Sequence, residues 1–288
     1  MRDIFSGFHP IVAMIYFLAV LMFSMFLMQP VCLFISLVAA VSFAVCLKGG
    51  RSVRTQFQLI VPMAVAVMLL NPAFNHRGMT ILTYLPTGNP LTLESIVYGA
   101  AAACLMAAVI QWFGCYTKVM TSDKFIYLFG KVITSLSLVL SMCLRFVPRF
   151  CAQFRVVREA QRCIGKDLNN GSTIQKIKHG VSIFSIMITW SMENAIETAD
   201  SMKGRSYGLS GRTSFSLYRF EKRDGFVLGW ILFLTAYILA GILKGGLGFW
   251  YFPFITGRWE DFYSISLYAA YALLCFLPVL TEFVGLFV

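Results

Sequence analysis

Acidic residues are scarce in this chain. Asp and Glu number 13 among 288 residues, against 24 Lys and Arg, and the four types together make up 13% of the sequence. A soluble domain carries roughly twice that charged fraction. Histidine is scarcer still: His9, His76 and His179 lie far apart and offer no metal-ligand spacing. None of the eight cysteines stands in a C-x-x-C pair, and most lie within apolar runs, where cysteine acts as a small hydrophobe. Neither a disulfide nor a metal site is expected.

Nucleotide and hydrolase motifs are missing too. "LFGKVI" (128–133) has a Gly-Lys pair but lacks the preceding glycine-rich loop and the hydroxyl residue that follows the lysine. The glycines of 204–211 do not form G-x-G-x-x-G, so ATP binding through a P-loop is excluded. Without H-E-x-x-H or G-x-S-x-G, no catalytic residue and no cofactor is assigned. Glu94 and Glu282 are the few acids in or beside apolar runs, both near run ends. A proton-coupled carrier needs ionisable groups at membrane depth, and this chain offers little for that chemistry.

What is abundant is apolar. Hydrophobic residues make up 58% and mean hydropathy is +0.75. Several runs approach or exceed the roughly 17 to 20 residues of a spanning helix, and the alternation of barrel strands is absent. The expected fold is an all-α polytopic membrane protein with about six spans: Ile11 to Met28, Val31 to Leu47, Leu59 to Phe74, Leu91 to Phe113, Phe226 to Leu243 and Phe262 to Val288. Arg2 and Asp3 precede the first run without an A-x-A-like site, so that run is expected to act as its own insertion signal. Residues 75–90 read as a loop punctuated by His76, Gly78, Pro86, Gly88 and Pro90, and Gly49 to Arg54 as a polar turn. Three regions follow: N-terminal spans (1–113), an interfacial segment (114–225) and C-terminal spans (226–288). With six spans, 21 of the 24 Lys and Arg residues share one side with both termini. That side is therefore expected to be cytoplasmic. The net charge of +11 suits anionic headgroups or a partner protein, with no nucleic acid expected.

Residues 114–225 carry most of the pattern. Val132 to Leu144 and Val181 to Met192 are apolar stretches too short to span, and read as interfacial helices. In "MCLRFVPRF", Pro148 should end or kink the first helix. Arg155, Arg158, Arg162 and Lys166 then fall at helical spacing on one face, with Val156, Val157, Ala160 and Ile164 on another. Asn169-Asn170-Gly171 is turn chemistry, and Ser172 with Gln175 fits a capping box. A second helix should run from near Thr173 for about 30 residues and fail near Gly204 to Gly208. Glu193, Glu197 and Asp200 share one face and are expected to face the basic stripe. Lys203 and Arg205 sit at the end of this helix, where cations complement the dipole.

Segment 114–225 resembles the T component, the transmembrane coupling protein, of energy-coupling factor (ECF) transporters. The residues that carry this are "SLSLVLSMCLRFVPRF", "EAQRCIGKD", "ITWSMENAIETADSMKGRSYGL" and "GRTSFSLYRFEKRD". The resemblance implies a non-catalytic subunit for vitamin or metal-ion uptake across the cell membrane. It also implies two crossing coupling helices whose Ala-Arg-Gly ends dock on two ABC-type ATPase subunits, and a separate membrane-embedded S component that binds the cargo. The second end falls on Gly204, Arg205, Ser206 and Tyr207 and keeps its arginine. The first falls on Cys163, Ile164 and Gly165, where isoleucine replaces the arginine. Arg162, just before that triplet, would have to act from about 100° around the helix. The first end is thus expected to dock through Ile164, and the two ends to grip different subunits. The competing class is a self-sufficient secondary transporter or channel, which would call for internal repeats or interrupted spans. A membrane-embedded enzyme would need a polar constellation at membrane depth.

Overall fold

The computed structural model describes residues 5–75, 78–84, 90–130, 134–166, 172–207, 218–257 and 262–285. After a 3₁₀ turn at Phe5–Gly7, the helices are α1 (Pro10–Phe26), α2 (Pro30–Lys48), α3 (Gly50–Phe74), α4 (Leu93–Val119), α5 (Ser122–Gly130), α6 (Thr134–Cys163), α7 (Thr173–Gly204), α8 (Lys222–Leu243) and α9 (Phe262–Gly285). Two short hairpins interrupt them: β1 (Ile81–Tyr84) with β2 (Pro90–Thr92), and β3 (Phe249–Trp250) with β4 (Thr256–Gly257). The chain divides into two compact units, Met1–Phe125 with Tyr218–Val288, and Ile126–Leu217.

Among the described residues, five helices are long and apolar enough to cross a membrane: α2, Arg54–Phe74 of α3, α4, α8 and Phe262–Glu282 of α9. The sixth expected span, α1, is a shorter apolar helix of 17 residues, about 25 Å at 1.5 Å per residue. The protein is all-α and multi-pass.

Local chemistry sets the helix boundaries of the first unit. Pro10 and Pro30 sit in the first turn of α1 and α2, where a missing N–H costs nothing. The expected polar turn at 49–54 shrinks to one residue. Gly49 takes φ +74, and α3 starts at Gly50, because glycine enters the left-handed region without strain. The expected loop at 75–90 is also partly structured. Ile81, Thr83 and Tyr84 pair antiparallel with Thr92, Leu91 and Pro90, while His76, Arg77 and 85–89 lie outside the described residues. Thr80 holds this turn to the start of α4, donating its Oγ1–H to Glu94 at 2.6 Å and its N–H at 3.2 Å.

The core sits where α1, α2, α4 and α9 meet. Phe5, Tyr16, Phe17, Phe43 and Trp112 are fully buried. Their rings meet mostly edge-on, Phe5 to Tyr16 at 5.2 Å and Tyr16 to Trp112 at 6.2 Å, the arrangement that ring quadrupoles favour. Their polar tips are satisfied: Trp112 Nε1 donates to Ser36 Oγ (3.0 Å) and Tyr16 OH to the Cys275 carbonyl (3.1 Å). Between α3 and α4, Pro72 has no N–H for the Met68 carbonyl one turn earlier. Gly99 of α4 fills that gap, and a Cβ there would lie 3.0 Å from Met68 O. Small residues permit such backbone approach in membrane helices.

Candidate functional site: the ends of two long helices

The second unit holds α6 and α7, of 30 and 32 residues, about 45 and 48 Å long. Both short apolar stretches belong to these longer helices, although 131–133 lie outside the described residues. Pro148 does not end α6, which runs through it to Cys163. Contacts just past the proline hold the next turns against α7. Phe150 meets Trp190 edge-on at 5.4 Å, Arg149 lies 5.8 Å from the same ring, and Val157 packs with Ile183 and Met187. Rising numbers on α6 meet falling numbers on α7, so the pair is antiparallel. α7 begins as expected at Thr173, with the Ser172 N–H donating to Gln175 Oε1 at 3.2 Å.

The acidic face of α7 departs from expectation. Among the described residues, neither Glu193 nor Glu197 pairs with a cation of α6, and Asp200 approaches Lys203 of its own helix at 3.9 Å. The reason is the direction of the faces. Ile183, Met187, Trp190 and Asn194 form the face turned inward, while Glu193, Glu197 and Asp200 stay exposed. The stacking of Arg149 on Trp190 has no local sequence signal, because its partners lie 41 residues apart.

Both helices end in the same backbone device. In α6 the Gly165 N–H bonds the Arg162 carbonyl (3.0 Å) and the Lys166 N–H bonds Gln161 (2.9 Å). In α7 the Ser206 N–H bonds Lys203 (3.0 Å) and the Tyr207 N–H bonds Met202 (3.1 Å). These are the paired bonds of a Schellman cap. Ile164 and Arg205 hold the same cap position, and Gly165 (φ +83) and Ser206 (φ +60) hold the same left-handed position after it. The last helical residues are Cys163 and Gly204. α7 therefore ends at Gly204 as expected, but the left-handed residue is Ser206, and Gly208 and Gly211 lie outside the described residues.

The caps sharpen the place of Arg162. It lies two residues before Ile164, so its side chain leaves about 200°, and not the expected 100°, from that of the cap residue. Ile164 itself is 68% exposed, and Arg205 and Tyr207 are also exposed. Each tip thus presents an exposed side chain, one cationic and one apolar. Among the described residues, no three His, Cys, Asp or Glu side chains gather as a metal site.

Over 108 residues the chain is 35% identical to the energy-coupling factor transporter transmembrane protein EcfT of Lacticaseibacillus paracasei. The chain is a relative of the ECF transporter transmembrane proteins. It is also 31% identical over 113 residues to the protein of that name from Lactobacillus helveticus, and 26% identical over 225 residues to the one from Listeria innocua. The matches cover 37%, 39% and 73% of this chain. The chain spans 41% of the length of the first two relatives and 78% of the third. No protein-family model matches it.

Proposed function

We propose that this protein is the transmembrane coupling subunit of an ATP-driven, ECF-type importer. In this reading two ABC-type ATPases bind the tips of α6 (Arg162, Cys163, Ile164, Gly165) and α7 (Gly204, Arg205, Ser206, Tyr207). ATP hydrolysis belongs to those partners, and this subunit is non-catalytic. Their motion passes along the two helices to an S component that carries a vitamin or metal ion. Exposed apolar residues of α7, among them Val181, Ile188 and Met192, offer that partner a surface. The basic segment and both termini face the cytoplasm, where the ATPases and ATP are found.

The observation that carries the reading is the pair of matching caps on long helices, with Arg205 at the cap position of the second. An arginine fixed there offers a planar fork to a carboxylate on the docking subunit. Arg205→Glu is expected to lower ATPase co-purification by about tenfold or more at low salt, with the protein still membrane-inserted. ATPase recovered at wild-type yield would overturn the reading.

A further inference from the structure

A groove of ≈ 640 Å³ runs between α6 and α7, lined by Phe150, Cys151, Phe154, Arg155, Arg158, Gly180, Phe184 and Met187. It lies wholly within the second unit. Its volume is in the range of small-molecule sites. The chemistry of its walls is split. Phe150, Phe154 and Phe184 are 37%, 41% and 66% exposed, while Arg155 and Arg158, one helical turn apart, are exposed with no acid paired to either among the described residues.

The charge is one-sided at that end of the helix pair. Arg155, Arg158 and Arg162 of α6 run toward the end that meets the N-terminal turns of α7. Those turns add Lys176 and Lys178, while Glu159 is the acid in the same stretches. A free phosphate would use the arginines and leave the phenylalanines in water. A purely apolar ligand would leave the arginines without a counter-ion. An amphiphile with an anionic head and an acyl tail satisfies both. Such molecules lie within reach of a segment that the chain joins to α4 before it and α8 after it, both apolar enough to cross a membrane. Arginine forks suit phosphate oxygens, and cations near an anionic membrane surface gain about 1 kcal/mol each.

We infer that the groove between α6 and α7 is a binding site for an acidic phospholipid, with the phosphate on Arg155 and Arg158 and an acyl chain along Phe150, Phe154, Phe184 and Met187. The site does not depend on ATPase docking.

Cys151 lines the groove and is an exposed free thiol, while Cys143 and Cys163 are exposed thiols outside its lining. Maleimide labelling of the three, followed by peptide mass spectrometry, therefore carries its own controls. The full chain, purified in a neutral detergent, is titrated with dioctanoyl phosphatidylglycerol, dioctanoyl phosphatidylcholine or inorganic phosphate. Phosphatidylglycerol is expected to slow Cys151 labelling at least threefold with little change at Cys143 and Cys163. Phosphatidylcholine and phosphate should leave all three unchanged. Arg155→Gln with Arg158→Gln should abolish the protection, and the double lysine variant should keep most of it. Equal protection by phosphatidylcholine, protection by phosphate alone, or no protection would each overturn the inference. So would protection by a co-purified membrane protein in lipid-depleted samples where phosphatidylglycerol has no effect, since the groove would then be a protein-docking surface.

Discussion

Ser206 holds φ +60 at the end of α7, where α6 has Gly165 at φ +83. A side chain in the left-handed region costs about 1 to 2 kcal/mol relative to glycine. The two caps should therefore differ in local stability although their hydrogen bonds match. Ser206→Gly is expected to stabilise the α7 cap by about 1 kcal/mol, and Gly165→Ala to weaken the α6 cap by a similar amount. Hydrogen–deuterium exchange at the Ser206, Tyr207 and Lys166 amides reads this directly. One kcal/mol is about a fivefold change in protection. Unchanged exchange in both variants would mean that partners outside the cap hold the backbone. The sequence marked Gly204 as the place where α7 fails, but the left-handed turn falls on a serine. A glycine signal could not reveal that, because the turn is held by carbonyls of the preceding helix rather than by residue preference.

At the scale of elements, the two caps put Ile164 and Arg205 at equivalent positions, and this asymmetry has a direct test. If the two docking grooves differ, one apolar and one acidic, Ile164→Arg should weaken ATPase association, because a charge would be buried without a partner. If both grooves are acidic, the same substitution should strengthen it. Co-purification at low and high salt separates the outcomes, since an added surface ion pair fades as salt rises. Much of α6 and α7 was legible in the sequence: the capping residues Ser172 and Gln175, the basic stripe and the glycine after the first tip are all local signals. Pro148 does not end α6, because contacts of Arg149, Phe150 and Val157 support the next turns. The acidic face departs from its local pattern. Helical spacing gathered Glu193, Glu197 and Asp200, but packing of Trp190 and Asn194 turned that face outward.

For the molecule as a whole, membrane orientation is the property most exposed to test. Lys and Arg concentrate in the residues that hold α6 and α7, and positive charge favours the cytoplasmic side. A variant keeping Cys163 alone, with the other seven cysteines replaced by alanine, should react with a membrane-impermeant maleimide in inverted vesicles. It should stay unreacted in intact cells until they are permeabilised. Labelling of intact cells would reverse the orientation.

The sequence by itself determined the all-α polytopic class, the extent of most apolar helices, the absence of a P-loop and the start and end of α7. These depend on hydropathy, helical periodicity and capping, which act within a few residues. Only the tertiary structure decided which face of α7 turns inward, that α6 survives Pro148, and that 81–84 pairs with 90–92 beside the Thr80–Glu94 bonds. It alone disclosed the equal cap positions of Ile164 and Arg205 and the groove that sets three phenylalanines beside two arginines with no acid paired to them among the described residues. Each of these results from packing or hydrogen bonding between surfaces, and contacts such as Arg149 on Trp190 join residues that no local pattern relates.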